Sequence, residues 1–289
     1  MKNFYFIRHS LSTYQNMRNV IQGDVPEGQI NYDNQVFDVP SAGIELAQKK
    51  AEEFLGQLDA KVDNLLFVSS NEARAIDTAN IYRQMAKEKG FEIVQHQEIG
   101  NEYAKITGEN EIKVLEALCL NPQNALIHSI YNSNPGKVFN IDWEKVRAET
   151  KMAWDEARKI VESDDRGSWG ANFAAHSEVV KEILLAVNPH EESAEDLFEK
   201  NFKDLLRLMK VASQECGNIV VVAFGHENYI VSALQKYFGE HGIGNCEAMS
   251  FRVTDQKVLV NFHRQARLFF SIFKTNLNIE IKNKYYEKI

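Results

Sequence analysis

Short apolar runs punctuate the chain and stop abruptly at polar residues. Phe4-Tyr5-Phe6-Ile7 ends at Arg8-His9-Ser10, Leu65-Leu66-Phe67-Val68 ends at Ser69-Ser70, and Ile219–Phe224 ends at Gly225-His226. A fourth run spans Phe91–Val94. Runs of this length, apolar without alternation, predict strands covered on both faces. Between them lie stretches with helical spacing. Ser41-Ala42-Gly43 opens one with apolar positions Ile44, Ala47, Ala51, Phe54 and Leu55, Ser41 being the expected N-cap. A second runs from about Glu72 to Lys89 and stops at Gly90. Strands alternating with helices predict parallel pairing, hence an α/β three-layer sandwich with a mostly parallel central sheet.

From about Tyr103 to Asn188 that rhythm breaks. Helices are expected near Glu111–Leu120, Asp142–Val161 and His176–Val187, with few strand signals between them. The reading is one domain over 1–289 carrying a helical insertion, or cap, over 103–188. Beyond it, Leu197, Phe198, Phe202, Leu205, Leu206 and Met209 form one apolar stripe on a helix from Ser193 to about Ala212. Two β-like runs follow His226, Glu247–Val253 and Lys257–Asn261. Leu11 to Pro40 reads as a long polar loop, and Lys282–Ile289 as a charged, frayed end. No repeat or low-complexity segment is visible.

Composition changes this picture little. Hydrophobic residues are 44% and charged residues 26% of 289, enough for a sizeable core. The net charge of -8 argues against nonspecific attraction to nucleic acid. Focused arginines can still hold a small anion in an acidic protein. Cys119, Cys216 and Cys246 are far apart, with no metal-ligand spacing, so no metal and no cofactor is expected. Phe4–Ile7 is much too short for a signal-peptide core, and nothing approaches the roughly 18 apolar residues of a membrane span. The expectation is a soluble, cytoplasmic protein without membrane contact; oligomeric state stays open.

The chemistry concentrates at strand ends. His9 and His226 each follow a buried run, and Arg74 stands at the start of the helix after a third. Open α/β sheets bind ligands at the carboxyl ends of their strands. A lone histidine at a strand end is usually structural, and Arg8 alone would be a surface cation. Arg-His at one end, Arg at a second and His at a third is a different matter. Guanidinium groups fork onto phosphate oxygens, and a helix start favours anions. The other histidines, His96, His128, His176, His190, His241 and His263, show no ligand spacing, and His176 reads as a helix-start or core residue. Trp143, Trp154 and Trp169 read as packing for the insertion.

Five segments, in order, resemble the histidine phosphatase superfamily in its phosphoglycerate mutase-like branch. Phe6-Ile7-Arg8-His9-Ser10 resembles the Arg-His-Gly signature, and Val68–Ala79 resembles Ser-Ser-x-x-x-Arg-Ala-x-x-Thr-Ala. Gly225-His226-Glu227 stands where the family has its late histidine segment. Asp38–Ala47 is similar to Asp-x-Pro-Leu-Thr-x-x-Gly-x-x-Gln-Ala, and Glu192-Ser193 with Asp196 to a Glu-Ser-x-x-Asp helix start. The likeness spans Phe4 to about Val253.

The resemblance implies two-step phosphoryl transfer, with His9 forming a phosphohistidine that water or an alcohol discharges. Arg8, Arg74 and His226 would stabilise the transferring group without a metal ion, and a small phosphorylated molecule would be the substrate. Neutral imidazole is a nucleophile at neutral pH once its other nitrogen is held. The resemblance gives the leaving group's proton to Glu102, with Glu98 and Glu227 as competitors. Phosphate contacts would come from Asn16, Gln22 and Gly23, each one residue late against the family pattern, and from Ser10, which replaces the family's glycine. Lys200 replaces an arginine of the Glu-Ser-x-x-Asp helix. A phosphomonoester phosphatase is the leading reading. The alternatives are a phosphoglycerate or phosphosugar mutase, and a catalytically impaired phosphate-binding module.

Overall fold

The structure, a computed structural model, describes residues 2–12, 39–70, 72–94, 111–114, 143–165, 169–187, positions 196, 198–199, 202–203 and 206, and residues 218–254, 257–263 and 265–271. Eight strands form one sheet: β1 (Lys2–Arg8), β2 (Asn64–Ser69), β3 (Glu92–Ile93), β4 (Ile112–Val114), β5 (Ile219–Gly225), β6 (Ala248–Val253), β7 (Lys257–Phe262) and β8 (Gln265–Ser271). Their order is β3-β2-β5-β1-β6-β7-β8, with β4 also on β2. Strands β1, β2, β3, β4 and β5 pair in parallel; β6, β7 and β8 continue as antiparallel neighbours of β1. The protein is an α/β fold, its central strands mostly parallel and flanked by helices.

Every residue of β5 is buried, as its Ile-Val-Val-Val-Ala-Phe run predicts for a strand with parallel neighbours on both sides and helices on both faces. On one face lie α1 (Ser41–Leu55) and α2 (Ala73–Glu88), which cover Ile7, Leu65, Phe67, Val220, Val222 and Phe224. On the other, Phe4, Phe6, Leu66, Val68, Val221 and Ala223 pack against α6 (Glu227–Phe238) and the helical positions Phe198, Phe202 and Leu206. The i, i+4, i+8 spacing of those last three is part of the stripe read from the sequence. The three layers are therefore present.

Local details differ from expectation. Pro40, not Ser41, occupies the N-cap of α1, and Ser41 is its exposed first residue. Proline fixes φ near -70°, and its carbonyl already accepts from the Ile44 N–H at 2.9 Å. The strand expected over Phe91–Val94 narrows to Glu92–Ile93. The helix expected over Glu111–Leu120 gives way, in its described part, to β4, where Ile112 and Val114 extend beside Phe67 and Ser69. The buried, β-branched Ile112 suits a strand beside β2 better than a helix start. Strand β8 lacked a sequence signal, its residues 265–268 being exposed. The segments 13–38, 95–110, 115–142, 188–195 and 272–289 lie outside the described residues.

Within the segment read as an insertion, α3 (Trp143–Glu162) and α5 (Ser177–Leu185) match expectation, and a short helix, α4 (Trp169–Ala175), joins them. Ala153, Ala157, Val161, Phe173, Val180 and Leu184 make a core of their own, with Trp154 and Trp169 packed on it. The opposite face of α4 joins the main core through Ala171 and Ala174. His176 is the N-cap residue of α5, its Nε2 2.8 Å from Asp164 Oδ2.

Candidate active site

Strand register assembles the site. Ile7 and Ser69 both pair with Phe224, and Arg8 pairs with Gly225, so three parallel strands end at one level. The ladder extends one step further on each side. His9 N–H donates to Gly225 O at 2.9 Å, and Ser70 N–H donates to Phe224 O at 3.0 Å. Residues about 60 and 150 positions apart in the chain thus place His9, Ser70 and His226 side by side. Arg74 adds its guanidinium from the first turn of α2. The four residues expected to form the site, Arg8, His9, Arg74 and His226, are brought together.

The His9 and His226 ring centroids are 5.2 Å apart. His9 Nδ1 is 2.6 Å from Ser10 O; a carbonyl only accepts, so Nδ1 carries the proton and Nε2 keeps its lone pair. Arg74 Nη2 lies 3.4 Å from His226 Nδ1, while His226 Nε2 lies 2.8 Å from the Ser70 hydroxyl. Both arginines have carboxylate partners: Glu227 Oε2 is 3.2 Å from Arg8 Nη2, and Glu72 Oε2 is 3.1 Å from Arg74 Nη1. Arg8 Nη1 also donates to Ile243 O at 2.5 Å, and its Nε is buried with no hydrogen-bond partner among the described residues. The Arg8 and Arg74 cations beside the nucleophile give this pocket the positive charge that favours an anion.

Burial drives the His9 imidazolium pKa down to about 3; the Arg74 and Arg8 cations push the same way, against the Ser10 carbonyl. His226 is held well below its ordinary value by burial, then by His9, Arg74 and Arg8. Both rings are neutral at neutral pH. Their folded-state pKa values lie below the unfolded value of 6.5, so the unfolded chain binds more protons on the acid side. The stabilisation is complete above about 6.5 and is lost as pH falls toward 3, with roughly 2 kcal/mol gone at about pH 5 from His9 alone. In a titration followed by NMR, the ring C–H resonances of His9 should stay at neutral-imidazole positions down to about pH 5, and those of His226 should titrate well below 6.5. A midpoint near 6.5 for either ring rejects this electrostatic picture.

Supporting contacts fix the loop after β1. Ser10 N–H donates to Thr78 Oγ1 at 3.0 Å, and the Thr78 hydroxyl donates to Arg74 O at 2.7 Å, linking the nucleophile's loop to the arginine's helix. The Ser10 hydroxyl donates to Gly43 O at 2.6 Å and is fully buried. A Cβ on Gly43 would lie 2.5 Å from Leu11 O, so only glycine permits this approach. From the far side, Asn245 Nδ2 donates to His9 O at 2.9 Å and Cys246 N–H to Arg8 O at 2.9 Å. Cys246 reaches it with φ of 59°, in the left-handed region. Sequence reading missed the parts played by Ser70, Thr78 and Asn245. The first two lie inside the Val68–Ala79 motif, a signal that was available; Asn245 had none.

Glu227 is wedged against α4, since a Cβ on Gly170 would fall 2.7 Å from its Cγ. Glu98, Glu102, Asn16, Gln22, Gly23 and Lys200 fall outside the described residues, as does the start of the Glu192-Ser193 segment. Among the described residues, no group of three or more His, Cys, Asp or Glu could hold a metal ion, and no helix is long and apolar enough to cross a membrane.

No family model and no curated protein matches the chain. Among solved structures it is similar to phosphoglycerate mutase from Bacillus anthracis, at 13% identity and a TM-score of 0.45, over 94% of this chain and 92% of that one. Phosphoserine phosphatase from Entamoeba histolytica, in complex with phosphoserine, matches at 15% identity over 94% and 96%, with a TM-score of 0.37. A mycobacterial glucosyl-3-phosphoglycerate phosphatase in complex with VO3 matches at 16% identity over 93% and 97%, with a TM-score of 0.38.

Proposed function

We propose that the chain is a phosphomonoester phosphatase that works through a phosphohistidine on His9. One observation carries the reading: His9 is a neutral imidazole whose Nδ1 is held by Ser10 O, leaving a nucleophilic Nε2 between two arginines and a second histidine. His9 Nε2 attacks phosphorus as the ester P–O bond breaks, and the leaving oxygen takes a proton from an acid. Water then attacks phosphorus, giving a proton to the carboxylate that the acid has become, and the P–N bond breaks to release inorganic phosphate and neutral His9. Charge spread over the equatorial oxygens is met by the Arg8 and Arg74 guanidinium groups, with His226 joining them as a donor once it is protonated. Asn16, Gln22, Gly23 and Ser10 are assigned to phosphate binding by the sequence resemblance, although the Ser10 hydroxyl is engaged with Gly43 O. The substrate is a small phosphorylated molecule in this reading, and the 103–188 segment is a cap that selects it.

For the proton donor the resemblance favours Glu102, and the geometry offers a second reading. Glu227 is fixed between Arg8 and Gly170 directly after His226. A general acid matters most when the leaving group is a poor one. Changing the true donor to glutamine should slow alkyl phosphates by roughly 10²–10⁴ while sparing activated aryl phosphates. Glu102→Gln and Glu227→Gln assayed on both substrate types decide between them. Equal losses on both substrates remove that residue from the role.

The function itself is tested by a screen of phosphomonoesters in excess EDTA. Hydrolysis that persists there supports side-chain catalysis; hydrolysis that needs an added divalent ion overturns it. Production of an isomeric phosphoester in place of inorganic phosphate would make the chain a mutase.

A further inference from the structure

We propose that Ser70 is a positioning residue: its hydroxyl fixes His226 with the proton on Nε2 and a lone pair on Nδ1, so that a phosphoryl group binds together with one proton taken up at Nδ1. The proposal rests on the pocket being a phosphate site. It concerns protonation rather than turnover.

The assignment follows from donor counting. A guanidinium has five N–H donors and no acceptor, so the His226 Nδ1 facing Arg74 Nη2 at 3.4 Å presents its lone pair. A neutral imidazole has one N–H, which is therefore on Nε2 and points at Ser70 Oγ, 2.8 Å away. Ser70 is fully buried, and the bond from its N–H to Phe224 O places it in the sheet ladder. The hydroxyl is thus held at one position relative to β5 and to His226 that follows it. His226 is itself nearly buried, so its orientation depends on these two contacts.

This pattern conflicts with a phosphoryl group bound at the same place. Among the described residues, the charged and titratable groups around His226 are Arg8 at the end of β1 and His9 just after it, Arg74 with Glu72 at the start of α2, and Glu227 on its own helix. Without a ligand, the cations and burial keep the ring neutral. A phosphoryl group brings up to two negative charges and draws the Arg74 guanidinium to itself. The bare Nδ1 lone pair would then face an anionic oxygen, which is repulsive. A proton on Nδ1 turns repulsion into a charge-assisted hydrogen bond. The balance is simple: a monoester monoanion passes its P–O–H proton to Nδ1, and a dianion arrives with one proton from water. Nε2–H stays on Ser70 Oγ throughout, so the ring need not turn.

Imidazole ¹⁵N NMR on the full chain reads the protonation directly. In the ligand-free protein, His226 should show a protonated Nε2 and an unprotonated Nδ1; added inorganic phosphate should protonate both. Calorimetry of phosphate binding in buffers of different ionisation enthalpy should report uptake of about one proton for the phosphate dianion. Ser70→Ala leaves Nε2–H without its acceptor and should weaken phosphate and vanadate binding roughly 10- to 100-fold. That variant should also lose the single-tautomer spectrum, and Ser70→Thr, which keeps the hydroxyl, should restore it. These measurements need no turnover, so a chain that binds phosphate but hydrolyses nothing would sink the phosphatase reading and leave this one standing. A ligand-free His226 protonated on Nδ1, or phosphate binding without proton uptake at a pH where free phosphate is the dianion, overturns the proposal even if the Ser70 variants do not fold.

Discussion

Replacing His9 with alanine should reduce kcat by on the order of 10⁴–10⁶, because among the described residues no other group can accept the phosphoryl from the same position. The fold should survive the change. The side chain's polar contact is with the carbonyl of its own neighbour, Ser10, and the two bonds that anchor this residue use its backbone. His9 N–H still reaches Gly225 O, and Asn245 Nδ2 still reaches the residue's carbonyl. Phosphate binding should persist too, since Arg8, Arg74 and His226 remain. The measurement is single-turnover hydrolysis of an aryl phosphate, with acid quench and mass analysis of the protein. The unaltered chain should carry an acid-labile phosphoryl group on the peptide containing His9, and the variant none. Turnover within tenfold of the original would show that His9 is not the nucleophile.

That expectation could be framed from sequence because the informative contrasts are local. An apolar run that stops at Arg-His, or at Gly-His, announces both a buried strand and a reactive end within ten residues. Arg74 was legible for the same reason, sitting four residues past Ser70 in one motif. What the sequence hid depends on pairing at long range. Strand β5 inserts between β2 and β1, and only that order sets Ser70 opposite His226 and Asn245 behind His9. Strand β4 was mistaken for a helix because three residues decide it, and their neighbour β2 is over 40 positions away. The close approach of Gly170 to Glu227 brings the 103–188 segment beside the helix that follows His226, and no periodicity announces such a meeting. The assignments of Glu102, Asn16, Gln22 and Gly23 rest on motif resemblance alone, since they lie outside the described residues.

Arg74→Ala should show the second large loss, roughly 10²–10³ in kcat, as expected for removal of one preorganised charge donor. Its side chain touches Glu72 and His226, both at the pocket, while α2 is held to the sheet by Ala75, Ala79, Tyr82 and Ala86. Loss of activity should therefore come with little loss of stability. Arg74→Lys should recover only part of the rate, because an ammonium cannot reach phosphate oxygens as a planar fork. The substitution also carries an electrostatic signature that simple misfolding would lack. Arg74 depresses the pKa of both His9 and His226, so its removal should move both upward, toward the ordinary value of 6.5. A protonated His9 has no lone pair at Nε2, so the acid limb of kcat should shift to higher pH in the variant. The pH profile and the ¹⁵N titration of His9 should move together. If turnover falls while both pKa values stay where they were, Arg74 acts by holding structure; if turnover is near normal, it does not belong to the site.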